Sequence, residues 1–224
     1  LTLVGVDDAS TTAPAQSLAN VVQGQSLRVR ALRVVRQVDA SGAVTYPGAY
    51  VDVTNLQITA PSSVASVSGA TVVANAASST GYTVQGTVNG QTLSTVLRVL
   101  PTGLVRVTGQ VRTISGASAP GIAVSFYAAG DTEALATVPA GPSGTYAAYV
   151  PSNAARLSVD ATSVKSNGIA LFYNTYTFGS LNYDATLDCT APLPTLGSNT
   201  QLNPVDLYYR NGSIPGVPTG CVGG

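Results

Sequence analysis

Apolar residues recur along this chain in short runs with a period of two, and turn residues interrupt them every few positions. No stretch sustains the 3.6-residue period of an amphipathic helix, so the chain can bury its apolar side chains only in β-sheets. In Ser26–Val35, for example, Leu27, Val29 and Ala31 fall on one face, while Arg28 and Arg30 fall on the other and are expected to point outward, with Arg33 as a further outward candidate. Further strands are expected at Tyr50–Val53, Leu56–Thr59, Val64–Val67, Thr71–Ala74, Tyr82–Val88 and Thr92–Leu100. Asn89-Gly90 joins the last two, and this dipeptide suits a type I′ hairpin because both central residues need positive φ. Pro101-Thr102-Gly103 then breaks the pattern and is the best boundary between a unit at 1–101 and one at 102–224.

Strands resume at Leu104–Thr113, Ile122–Ala128, Thr132–Val138, Gly144–Val150, Arg156–Ala161 and Ile169–Phe178. Thr132–Val138 and Gly144–Val150 are expected to pair with each other around Pro139–Ser143. Beyond Asp188 the chain turns irregular, with Pro192, Pro194, Pro204, Pro215 and Pro218, and one strand is expected at Pro204–Tyr209. Strands of this length and spacing predict an all-β protein of two tandem β-sandwiches followed by an irregular tail.

The first half carries Val22-Gln23-Gly24-Gln25-Ser26-Leu27 and Tyr82-Thr83-Val84-Gln85-Gly86-Thr87-Val88-Asn89-Gly90-Gln91-Thr92. It resembles the bacterial immunoglobulin-like domains (group 2 type) of surface adhesins and intimin-type proteins. The second half carries Val107-Thr108-Gly109-Gln110-Val111, Pro120-Gly121-Ile122-Ala123-Val124 and Gly144-Thr145-Tyr146, ending at Val150-Pro151. From Leu104 to Ala161 it resembles a carboxypeptidase-regulatory or transthyretin-like (prealbumin-like) sandwich, similar to the collagen-adhesin B-type repeats. The resemblance implies that Gly109 lets strands approach closely, that Gly121 makes a tight turn and that the Tyr146 ring packs inward. Some relatives of this kind form an internal Lys–Asn or Lys–Asp isopeptide bond. Here the corresponding first strand has Arg106 and Arg112, and the single lysine, Lys165, sits in a turn, so no such bond is expected.

The chain contains no histidine, tryptophan or methionine, and a single glutamate, Glu133. Acid–base and nucleophilic chemistry near neutral pH depends first on groups that this chain lacks, so no catalytic residue, cofactor or metal site is assigned and an enzyme is not expected. Ten basic and ten acidic residues cancel, which leaves no field to attract nucleic acid. No apolar run is long enough to span a bilayer as a helix. Asp7-Asp8 and the trio Asp184, Asp188, Asp206 could offer oxygen ligands to calcium, but their spacing follows no loop motif and favours ordinary surface carboxylates.

Cys189 and Cys221 lie in the tail. In an oxidising compartment they would pair and close the tail, and as two separate buried thiols they would not. The start at Leu1 reads as a mature secreted form, although trimming for expression would leave the same terminus. Leu1, Leu3, Val4 and Val6 belong to an uncharged β-prone segment with two readings, a donor strand for a neighbouring subunit or an ordinary first strand. Phe172, Tyr173, Tyr176, Phe178, Tyr183, Tyr208 and Tyr209 cluster in sequence. Tyr173, Tyr176, Tyr208 and Tyr209 would serve as glycan-stacking platforms if exposed, and as core if not. Asn211-Gly212-Ser213 fits a glycosylation triplet or a plain turn. The leading expectation is a secreted structural subunit of a bacterial surface filament, pilus or layer, a homo-oligomer built by strand addition. The alternative is a monomeric adhesin or module that binds a surface glycan.

Overall fold

Four sheets, paired around two separate hydrophobic clusters, account for nearly all the strands of the computed structural model, which describes residues 1–7, 10–160, 173–184 and 189–209. Sheet I has the order Thr2–Val6, Ser26–Val34, Thr71–Ala74, Ala65–Ser68, with Gly48–Asp52 beside the far half of Ser26–Val34. Sheet II has the order Val21–Val22, Gln91–Leu100, Ser78–Val88, Thr54–Ile58. Between them lie Leu27, Val29, Ala31, Val72, Val84, Leu97 and their neighbours. The Asn89-Gly90 turn forms as expected, with φ of 49° and 80°, and sets the long antiparallel register Val88↔Gln91 to Tyr82↔Leu97.

Sheet III has the order Thr145–Val150, Val105–Thr113, Val205–Tyr209, Tyr173–Phe178, Leu181–Asp184, with Asn199–Gln201 parallel to the start of Val105–Thr113. Sheet IV has the order Ala136–Pro139, Ala123–Ala128, Ala154–Asp160, Ala191–Pro192. Their shared core includes Val107, Val111, Ile122, Phe126, Tyr146, Leu157, Tyr176 and Leu207. The small hairpin Gln37–Val38/Val44–Thr45 stands apart from all four sheets.

Two sequence expectations need correction, and an intrachain pairing is found for a segment that had two readings. Ala136–Pro139 and Thr145–Val150 are not a hairpin: the first pairs with Ala123–Ala128 in sheet IV and the second with Val105–Thr113 in sheet III. Pro139 and Pro142 withhold ladder donors, and Gly144 at φ 75° turns the chain, so the link crosses from one sheet to the facing one. The Leu1–Val6 segment is an internal first strand. Thr2–Val6 pairs antiparallel with Arg28–Leu32 of its own chain, with Val4 and Val6 fully buried. Arg28 and Arg30 do share a face, but that face does not open to water along its length. It continues as Leu32 and Val34, both buried, and Arg30 is itself only 8% exposed.

Among the described residues there is no free cysteine, and the expected pairing of Cys189 with Cys221 falls partly outside them. Cys189 is buried, with its carbonyl accepting the Tyr176 hydroxyl at 2.7 Å, and Cys221 lies outside the described residues.

Candidate interaction site: the junction and its cleft

Four side chains from the first hundred residues belong to the second core. Val4, Ala15, Leu32 and Val34 pack with Val107, Tyr146 and their neighbours, although Leu3 and Ala31, adjacent in sequence, belong to the first core. The cause is strand alternation: successive residues of Thr2–Val6 and Ser26–Val34 point to opposite faces, and both faces of sheet I are covered there. Sheet I is thus shared between two hydrophobic layers.

Backbone bonds reinforce the junction. The Ala15 N–H donates to Thr145 O at 3.3 Å, and the Ala147 N–H donates to Ala15 O at 2.9 Å, a parallel bridge that caps the edge of sheet III. The next residue, Gln16, exchanges two backbone bonds with Gly5 at 2.9 Å each, which ties the same segment to the edge of sheet I. Pro14 suits this one-residue hand-over because it has no N–H to satisfy. Side chains add to the seam. The Tyr50 hydroxyl donates to Ala13 O at 2.7 Å, and Asn20 Nδ2 donates to Leu135 O at 3.2 Å. Asp7 accepts from Gln16 Nε2 and pairs with Arg106 at 3.2 Å across the seam. Burial, then the nearby Asp7 charge, push the neighbouring Tyr149 hydroxyl above its usual pKa.

One end of the seam stays open. A cleft of about 420 Å³ is lined by the Gln37–Gly48 segment, the Thr113–Ile122 turn and Pro142. Tyr46, Pro47, Pro120 and Pro142 supply flat apolar walls, while Gln37, Thr113, Ser115 and Ser118 supply neutral polar atoms. No lining residue is charged. Two of the exposed large apolar side chains, Val38 at 51% and Ile114 at 58%, are sequence neighbours of lining residues. The volume falls within the ~300–1,000 Å³ of typical ligand sites, and the location between two packed units is a common one for them. Gly48 permits the close approach, since a Cβ there would lie 2.6 Å from Pro120 Cβ.

The backbone at the cleft is also incompletely paired. Thr113 N–H donates to Ala117 O and Ala119 N–H to Val111 O, so Ser118, bridged antiparallel to Arg112, directs its own N–H and C=O away from that strand. Sequence reasoning missed this site. Its lining comes from three separate segments, which no local pattern in the sequence links.

The residues singled out from sequence fare differently. Tyr176 is fully buried, its ring stacked on Tyr183 at 5.2 Å between centroids, so it offers nothing to a sugar. Tyr208 is half-buried. Tyr173 and Tyr209 are cross-strand partners by backbone register. Asp7 and Asp206 are held by Arg106 and Arg112, the latter through both carboxylate oxygens, and no cluster of three metal-ligating side chains exists among the described residues. Arg28 and Arg30 both reach Asp52 at 3.3 Å, which neutralises part of the arginine stripe. Asp8, Asp188, Lys165, Phe172 and the Asn211 triplet lie outside the described residues. Among the described residues no helix is long and apolar enough to cross a membrane.

The chain matches no family model and no curated protein. Two crystal structures of BcpA, the major pilin subunit of Bacillus cereus, are similar to it. One, of an engineered variant, is 8% identical, covers 92% of this chain and 70% of that one, and has a TM-score of 0.30. The other is 9% identical, covers 93% and 70%, and has a TM-score of 0.28. Such distant likeness carries no functional information.

Proposed function

We propose that the protein is a secreted structural subunit of a bacterial extracellular assembly, a pilus-like filament or surface layer. It is read as two tandem sandwiches, immunoglobulin-like then prealbumin-like. The observation that carries this reading is the seam: Val4, Ala15, Leu32 and Val34 complete the second core, so the two units are joined through buried side chains as well as through the chain itself. A hinge would suit a ligand clamp, whereas a body without one suits load transmission and repeated packing. Low charge, 9% of residues, points the same way, because few side chains need desolvating at each contact. Tyr146 over Gly109, and turns at Gly121 (φ 81°) and Gly144 (φ 75°), support the prealbumin-like reading of the second unit.

Assembly in this reading uses preformed surfaces rather than the Leu1–Val6 strand, which is already paired within its own chain. Analytical ultracentrifugation over a hundredfold concentration range, with negative-stain imaging of the same samples, tests it. Growing polymers or ordered sheets are expected. A monomer at every concentration would refute the reading.

A further inference from the structure

The geometry points to a head-to-tail contact in which the Pro192–Ser198 segment of one copy enters the neutral cleft of the next. This inference rests on the assembly reading above and specifies its interface. The occupant is a second copy of the same chain, and three observations select it.

Chemical match is the first. Pro192, Leu193, Pro194, Thr195, Leu196, Gly197 and Ser198 carry no charge, and Pro192, Pro194 and Thr195 are exposed. Proline-bearing extended segments dock against aromatic and proline walls because their backbone is already ordered before binding. Tyr46, Pro47, Pro120 and Pro142 are such walls, and the cleft offers no charge to leave unpaired.

Backbone complementarity is the second. The outward-facing N–H and C=O of Ser118 have no hydrogen-bond partner among the described residues. The same is true of the main chain of Thr195, which with Pro194 forms the exposed middle of the segment between half-buried Leu193 and buried Leu196. Each would supply what the other lacks.

Placement is the third. Ser198 accepts from the Arg106 N–H at one end of the Val105–Thr113 strand, and the cleft takes Thr113 at the other, roughly 23 Å away at about 3.3 Å per residue. Sheet IV gives the same answer independently. Pro192 pairs with Arg156, which is level with Tyr127, whereas the cleft takes Ile122 just before the opposite end of that strand. Donor and acceptor surfaces therefore sit at opposite ends of the second unit. A heterologous contact of this kind does not use itself up, and propagates as a filament unless its rotation closes a ring.

The test introduces charge at two exposed positions, Ser118→Lys in the cleft and Pro194→Asp in the segment. Matched circular dichroism and thermal unfolding first show that each variant folds. Each alone is expected to weaken association about a hundredfold or more, because the new charge is buried without a partner. Mixing the two variants is expected to restore growth, because every Lys-bearing cleft can then meet an Asp-bearing segment. Wild-type polymers with both single variants assembling normally would overturn the contact while leaving the assembly reading intact. Failure of the mixture to regain growth would overturn it too. Wild-type protein that never associates would overturn both.

Discussion

Gly109 lies directly opposite Tyr146 in sheet III, and the tyrosine ring lies across it. A Cβ built at Gly109 would stand 2.3 Å from Tyr146 Oη, 2.5 Å from Cζ and 2.9 Å from Cε1. The ring cannot easily retreat: Tyr146 is fully buried, with Phe126 tilted against it at 6.2 Å between centroids. Gly109→Ala is therefore an overpacking substitution, expected to cost about 2–3 kcal/mol. For a chain of this size that lowers the melting temperature by roughly 4–12 °C. Tyr146→Phe works in the opposite direction. The Tyr146 hydroxyl has no hydrogen-bond partner among the described residues, and its burial raises its pKa above the ordinary tyrosine value. Removing an unsatisfied buried hydroxyl is expected to be neutral or to stabilise by about 1 kcal/mol. The two changes are coupled, since Oη is the nearest obstacle. Gly109→Ala in the Tyr146→Phe background should cost at least about 0.5 kcal/mol less than alone, measured by urea unfolding as a double-mutant cycle. A Gly109→Ala cost near zero, or one identical in both backgrounds, would refute the packing argument.

Other expectations follow from the same structure. Deleting residues 1–8 should yield unfolded or aggregated protein, because it removes a strand paired at five positions. A folded monomer by circular dichroism would show that strand to be dispensable. Val4→Ala should cost about 2 kcal/mol and should destabilise the second unit as well as the first, read from hydrogen exchange at Val107 and Val150. Burial raises the hydroxyl pKa values of Tyr146, Tyr176 and Tyr183 above that of a free tyrosine. Their contribution to stability is complete below about pH 10, where the unfolded chain would begin to ionise, and is lost as the pH rises above it. A tyrosine absorbance titration should accordingly show a cooperative step that coincides with loss of β signal. Smooth ionisation of all eleven tyrosines before unfolding would contradict it. Asp39 should titrate below the usual carboxylate range, chiefly because the Ser41 hydroxyl donates to it, and Ser41→Ala should raise its pKa in an NMR titration.

The strands themselves were legible because period-two patterns and turn residues are local properties. Asn89-Gly90 marked its hairpin, and Gly109 with Tyr146 marked a close crossing, each through a requirement that one or two residues satisfy. Which strands pair was less accessible. Thr132–Val138 and Gly144–Val150 look like hairpin arms in sequence, and only the packing of two facing sheets separates them. The Arg28–Arg30 face differs from its local pattern for a related reason: two arginines suggest solvent opposite the core, whereas Leu32 and Val34 on that same face announce a second buried layer. The Leu1–Val6 strand was readable either as donor or as first strand, because its own sequence carries no record of its partner. The cleft left no trace, being assembled from residues about 70–100 positions apart.

The joint between the two units is tested most directly by scanning calorimetry of the whole chain. Sheet I sends side chains into both cores and the Ala15-Gln16 backbone bonds to both sheet III and sheet I, so heating should give a single transition whose calorimetric and van't Hoff enthalpies agree. Two resolved transitions, with the second unit still folded after the first has melted, would contradict it.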